Sequence, residues 1–204
     1  MLLTSLIPRV LVQGNSIPSN AAIIQLQETA RRFFRGTKVW TTTLTMDSVA
    51  DQAAYELDLS GEVSEGTTPK VLQILSVVFN GATIWNQAYY LRTSDDYLVF
   101  NSGSIPGDAI TDGIVVKVAM VPAIDGTDFP QDHVETYVDG LVGGALYRLM
   151  MTPGRPYSDP GAADHFNTDY KRDLGRARMD VGSEGTTRGN GYRQSVDNTG
   201  GFYG

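Results

Sequence analysis

The chain has 204 residues, 41% hydrophobic and 19% charged. That excludes a fully disordered polymer and leaves room for one or two domains with a real core. It contains no cysteine, which excludes a disulfide framework, a thiolate metal site and a cysteine nucleophile. The net charge of −7 is unevenly spread: residues 1–37 carry four Arg and one acid, 38–130 four bases and twelve acids, 131–170 two and six, and 171–204 six and four. An acidic middle between mildly basic ends argues against a general DNA-binding surface, whose affinity comes from clustered Lys and Arg displacing counterions. Oppositely charged faces fit head-to-tail association between copies, with an ordinary solvated surface as the alternative.

The N-terminal MLLTSLIPRVLVQ is apolar but broken by Pro8 and Arg9, with no basic residue ahead of its hydrophobic stretch, so it reads as a poor signal peptide. No apolar run approaches the roughly 18 residues that cross a bilayer, so a soluble chain with no membrane partner is expected. Residues 19–36 predict a helix: Ile23, Leu26, Ala30 and Phe33 make a stripe, while Gln25, Glu28, Arg32 and Arg35 lie off it. Ser19 or Asn20 is its expected cap and Gly36 its expected stop.

From Lys38 the period changes to two. Ala53–Leu59 alternates as a half-buried strand, and β-branched Val71–Phe79 runs into Asn80-Gly81, the pair that a tight hairpin favours, with Ala82–Trp85 returning. Tyr97–Phe100 and Ile114–Val121 are further strands, separated by a turn marked by Gly103, Pro106 and Gly107. Val39–Val121 thus predicts an antiparallel sheet or partly closed barrel of about five to seven strands.

Helix returns after Phe129-Pro130, with Asp128 as expected cap, and runs to Leu149 on a broad apolar stripe. Gly140, Gly143 and Gly144 weaken it by about 1 kcal/mol each relative to Ala, and close approach of a neighbouring helix is the expected compensation. Asp159-Pro160 opens a last helix on Ala163, Phe166, Tyr170, Leu174, Ala177 and Val181. The expected fold is α+β. A discontinuous helical bundle of about three helices (1–37 and 129–181) receives an inserted β domain (38–128), and 182–204 forms an extended Gly-rich tail. Seven of the 22 glycines lie in the last 23 residues. The tail's composition predicts disorder in isolation, because little apolar area opposes a large ordering entropy. Its Tyr and Arg residues are types that interfaces favour as anchors, so the tail reads as a segment made to lie on a partner.

Signals for chemistry are sparse. His133 and His165 stand in no metal-ligand spacing, and a surface or packing role is expected of both. Asp108 with Asp112, or Asp125 with Asp128, lacks the ligand density of a calcium loop. No phosphate-binding loop, dinucleotide fingerprint or nucleophile elbow is present. No enzyme activity, cofactor or metal is expected, though spatial carboxylate pairs are invisible in sequence. Trp40, Trp85, Tyr89, Tyr90 and Tyr97 offer two readings, core packing or a stacking platform for sugars or bases. The second would suit a carbohydrate-binding or lytic tail or baseplate module.

NAAIIQLQETARRFFRGTKVW (Asn20–Trp40) resembles the opening helix of the tailed-phage head-to-tail adaptors, the head-completion or gatekeeper family that includes proteins like tail tubular protein A. RPYSDPGAADHFNTDYKRDLGRARMDVG (Arg155–Gly182) resembles that family's last helix and the loop before it. The middle matches in order and approximate length, and Tyr157 stands where the family often has Trp before Ser-Asp-Pro. The resemblance implies a structural protein of the virion neck, made in the host cytoplasm, with no catalytic role. It implies a homo-oligomer, a dodecameric ring beneath the portal protein, with a tail or nozzle protein on its far face and DNA passing through without specific binding. Portal contacts would then fall to the last helix and tail, with Arg172, Arg176, Arg178, Arg188, Tyr192, Arg193, Phe202 and Tyr203 as anchors. The β block would carry lateral and tail-side contacts.

Overall fold

The structure is a computed structural model that describes residues 3–14, 16–62, 69–123 and 129–187. Its architecture is α+β, with five α-helices and two antiparallel sheets among those residues. Helix α1 (Ile7–Gln13) follows a 3-10 turn at Leu3–Leu6, and Pro8 falls in its first turn, where a missing N–H costs nothing. The apolar N-terminus is therefore a core element, with Leu6 and Val10 fully buried.

Helix α2 (Ser19–Thr37) buries Ala22, Leu26, Thr29, Ala30, Phe33 and Phe34. Its boundaries differ from expectation at both ends. Pro18 holds the cap position, and the Asn20 carboxamide reaches only the adjacent Ala21 N–H, at 2.9 Å. The helix passes Gly36 and ends where Lys38 turns left-handed (φ 58°), its N–H closing on the Phe34 carbonyl at 2.8 Å.

Seven strands follow: β1 (Thr41–Ser48), β2 (Ala54–Glu56), β3 (Pro69–Phe79), β4 (Ala82–Ile84), β5 (Tyr89–Arg92), β6 (Tyr97–Phe100) and β7 (Ile110–Pro122). They form two open sheets, ordered β1-β7-β3-β4 and β2-β6-β5, rather than a partly closed barrel. Asn80 (φ 46°) and Gly81 (φ 76°) both take positive φ, as a tight turn matched to strand twist demands, and Val77–Phe79 pairs with Ala82–Ile84. Along β7, Ile114, Val116, Val118 and Met120 point inward with no exposed surface. From Ala119 onward both faces are covered, because this end of the strand runs against α2.

The expected single helix after Phe129 is broken in two. Helix α3 (Gln131–Thr136) is capped by Pro130, and Asp128 lies outside the described residues. At Tyr137 (φ −116°, ψ 25°) the helical path stops, and α4 (Val138–Met150) restarts. Helix α5 spans Pro160–Thr187. Asp159 caps it as expected, accepting the Ala162 N–H at 3.0 Å. It continues past Val181, so Gly182–Thr187 is helix and not the start of an extended tail.

Helix α4 packs on α2 and α5, and α2 also touches α5. The three glycines of α4 explain how closely. A Cβ on Gly140 would fall 2.6 Å from Asp173 Cβ, one on Gly143 2.8 Å from the Phe166 carbonyl oxygen, and one on Gly144 2.6 Å from Thr29 Cγ2 and Tyr170 Cδ2. Helices and sheets share one contiguous core that runs from Leu6 to Ala177. Phe34 joins the layers, with Trp40 and Phe129 both 5.8 Å from its ring.

Candidate assembly interfaces

Helix α5 is about 42 Å long at 1.5 Å per residue. Ala163, Asp173 and Ala177 are buried along it. Asp173 serves the restart of α4: its Oδ2 accepts the Gly140 N–H at 2.8 Å, one of the donors that a helix N-terminus leaves without an intrahelical acceptor. One helix thus caps another through a buried carboxylate, and the negative charge sits at the positive end of the α4 dipole. About two turns further on, Asp180 accepts the Tyr137 hydroxyl at 2.7 Å. Burial first, and this carboxylate second, push the Tyr137 hydroxyl well above its ordinary pKa. Asp173 and Asp180 therefore pin α5 across the α3–α4 break.

The three expected anchors on α5 are exposed but do not form one group. Arg172 is held by Asp169 at 2.8 Å and by Asp173 at 3.4 Å. Arg176, four residues on, shares that flank, near Tyr137 and Asp180. Arg178 leans the other way, its Nε donating to the Gly36 carbonyl at 3.1 Å. Arg188, Tyr192, Arg193, Phe202 and Tyr203 lie outside the described residues.

On the α2 side, Arg178 meets cations that sequence spacing alone leaves scattered. Arg32 and Arg148 both reach Glu28, at 3.4 and 3.7 Å. Arg31 donates to the Pro122 carbonyl at 3.2 Å, where β7 arrives. Glu28, Arg31, Arg32, Arg35 and Val121 line a cleft of about 200 Å³. Burial raises the Tyr170 pKa, and the positive charges of Arg148, Arg32 and Arg178 pull against that rise, which places all three around one ring. Among the described residues, the result is a basic face of five guanidinium groups with Glu28 as the acid among them. The sequence showed its α2 members only as a polar helix flank.

The opposite end of the long strands is acidic. Asp47 and Asp112 are joined there, the Asp112 N–H donating to Asp47 Oδ1 at 2.8 Å. Asp51 lies beside them through its N–H to the Pro106 carbonyl (2.9 Å), and Asp108 through its carbonyl, which accepts the Ser48 hydroxyl (2.8 Å). Among the described residues, no Lys or Arg pairs with any of the four. Pro122 and Ile110 mark the two ends of β7, about 40 Å apart at strand rise.

The five aromatics weighed as a platform separate. Trp40 and Tyr89 are buried, while Trp85 is 86% exposed. Tyr90 and Tyr97 lie on the outer side of the small sheet, with the Arg92 guanidinium 4.6 Å from the Tyr97 ring. His133 packs its ring edge-on to Phe34, and His165 sits beside Phe166. Asp125 and Asp128 lie outside the described residues. No helix among the described residues is long and apolar enough to cross a membrane.

The family model of the SU10 adaptor protein matches residues 1–194. The chain belongs to the SU10 adaptor protein family. It is accordingly a bacteriophage structural adaptor, and membership implies a place at the virion neck and contact with portal and tail proteins. No curated protein matches this adaptor in sequence.

Proposed function

We propose that this adaptor forms a dodecameric ring that joins the portal vertex to the tail and continues the DNA channel. The helices before and after the β strands act as one discontinuous bundle that presents α5 to the portal. The observation that supports this most directly is α5 itself: pinned at Asp173 and Asp180, it continues to Thr187 and hands over to a Gly-rich segment carrying Arg188, Tyr192, Arg193, Phe202 and Tyr203. Those residues, with Arg172, Arg176 and Arg178, are the portal anchors. The β strands carry lateral and tail-side contacts. Their acidity, twelve acids against four bases over residues 38–130, suits a lumen in which duplex DNA slides and is not held. Contacts between free copies are weak at physiological salt, and the portal templates closure of the ring.

Deletion of residues 188–204 tests the docking role. The truncated chain is expected to keep the helical content and melting temperature of the full chain but to lose portal binding. Unchanged portal affinity would overturn the assignment. Particle images of the adaptor on its portal test the ring, and a symmetry other than twelvefold would refute the dodecamer.

A further inference from the structure

We infer that the α2 part of the basic face, around Arg32 and Arg35 and apart from Arg178, which the reading above gives to the portal, is the seat for the acidic strand end of a second copy of this chain. The inference rests on the ring reading above and names the contact that would close it. The two faces lie at opposite ends of β7, about 40 Å apart, several times the screening length of about 8 Å at physiological salt. Within one molecule, therefore, they do not neutralise each other. Between molecules they match: guanidinium groups are presented in and around a cleft at one end, and carboxylates that no Lys or Arg among the described residues pairs with at the other. Glu28 offsets part of the basic charge, but it already serves Arg32 and Arg148, and Arg35 is exposed beside them.

The placement also constrains the symmetry. A patch that pairs with a different patch on its neighbour makes a heterologous contact, which leaves a free face of each kind at the ends of every growing chain until rotation closes it. A two-fold axis passing through either face would set like charges against each other and is disfavoured. A second copy is favoured over DNA as the occupant because the complementary carboxylates are carried by every molecule, whereas the adaptor as a whole is acidic.

Sedimentation velocity of the full-length chain at low ionic strength, repeated at rising salt, tests this. The wild-type chain is expected to self-associate and to lose association as salt screens the contact. Arg32→Glu with Arg35→Glu, and separately Asp51→Lys with Asp108→Lys, should each weaken association about tenfold or more. An equimolar mixture of the two variants should recover it, because each reversed face then meets its complement. Asp51 has a positive φ of 62°, so the neutral pair Asp51→Asn with Asp108→Asn, which tolerates that backbone, repeats the test with a smaller loss. Association unchanged in the variants, no recovery on mixing, or no salt-dependent association of the wild type would each overturn the pairing. So would binding of a short DNA duplex that the Arg reversals abolish while self-association persists. Portal-bound rings that survive both reversals would sink this pairing alone. Absence of rings from wild-type portal complexes would sink the ring reading instead.

Discussion

In an isolated helix, replacing Gly143 with Ala gains about 1 kcal/mol, because the backbone loses less freedom on folding. In this adaptor the sign should invert. The new methyl would sit 2.8 Å from the Phe166 carbonyl oxygen and 3.5 Å from Asp169 Cβ. The oxygen belongs to the α5 backbone and cannot swing aside as a side chain would. Relief requires α4 and α5 to part by about 0.5 Å, a gap that forfeits a quarter to a half of each dispersion contact it opens. The same separation stretches the 2.8 Å bond from the Gly140 N–H to Asp173. Overpacking of this kind costs about 1–3 kcal/mol. After subtracting the propensity gain, Gly143→Ala should destabilise by up to about 2 kcal/mol and lower the melting temperature by up to roughly 8 °C for a chain of this size. Gly175, on α5, is the matched control. A Cβ there meets nothing within 4 Å, so Gly175→Ala should stabilise by about 1 kcal/mol. Thermal and urea unfolding followed by far-ultraviolet circular dichroism would measure both. If Gly143→Ala gains stability as Gly175→Ala does, the close approach of α4 to α5 is refuted.

Asp173→Ala leaves the Gly140 N–H buried without its acceptor and should cost about 1–3 kcal/mol. Asp173→Asn, which keeps an accepting oxygen, should cost less, and hydrogen exchange at the Gly140 amide should accelerate in the Ala variant more than in the Asn variant. At Asp96, burial raises the carboxyl pKa against the opposing Val71 N–H and Lys70. Folding therefore favours its protonated form, and the stability this confers is present below the ordinary carboxylate range and lost as pH rises through the folded pKa. Asp96→Asn, compatible with the positive φ of 56°, should thus raise stability at pH 7 by roughly a few tenths of a kcal/mol after solvent screening. The gap should close as pH falls below about 4. A gap that widens on acidification would reverse the sign assigned to this group.

Local rules carried what depends on neighbours in sequence. The Asn80-Gly81 hairpin, the strand Tyr97–Phe100 and the Asp159-Pro160 helix start follow from backbone preferences that no distant residue overrides. The α2 and α5 helices were legible from apolar spacing, and the glycines of α4 signalled a close neighbour. Strand β1 was harder to single out because half of Thr41–Ser48 is threonine and the strand is half-exposed at a sheet edge, so it shows little apolar alternation. The head-to-tail adaptor resemblance came from sequence too, and the family match over residues 1–194 agrees with it.

The tertiary structure decided whatever joins residues far apart in the chain. The break at Tyr137 is stabilised by Asp173 and Asp180, more than thirty residues downstream, and nothing near Tyr137 in sequence announces it. The helix runs past Gly36 because local propensity for a stop is weaker than the packing of Phe33, Phe34 and Thr37 into the core. The basic face assembles Arg32, Arg148 and Arg178 from three helices around Tyr170, and the acidic end gathers Asp47 and Asp51 from the end of β1 and the turn after it with Asp108 and Asp112 from the start of β7 and the turn before it. Net charge per segment can be counted along a chain. Which charges share a face depends on how helices and strands cross, and only the folded backbone sets that.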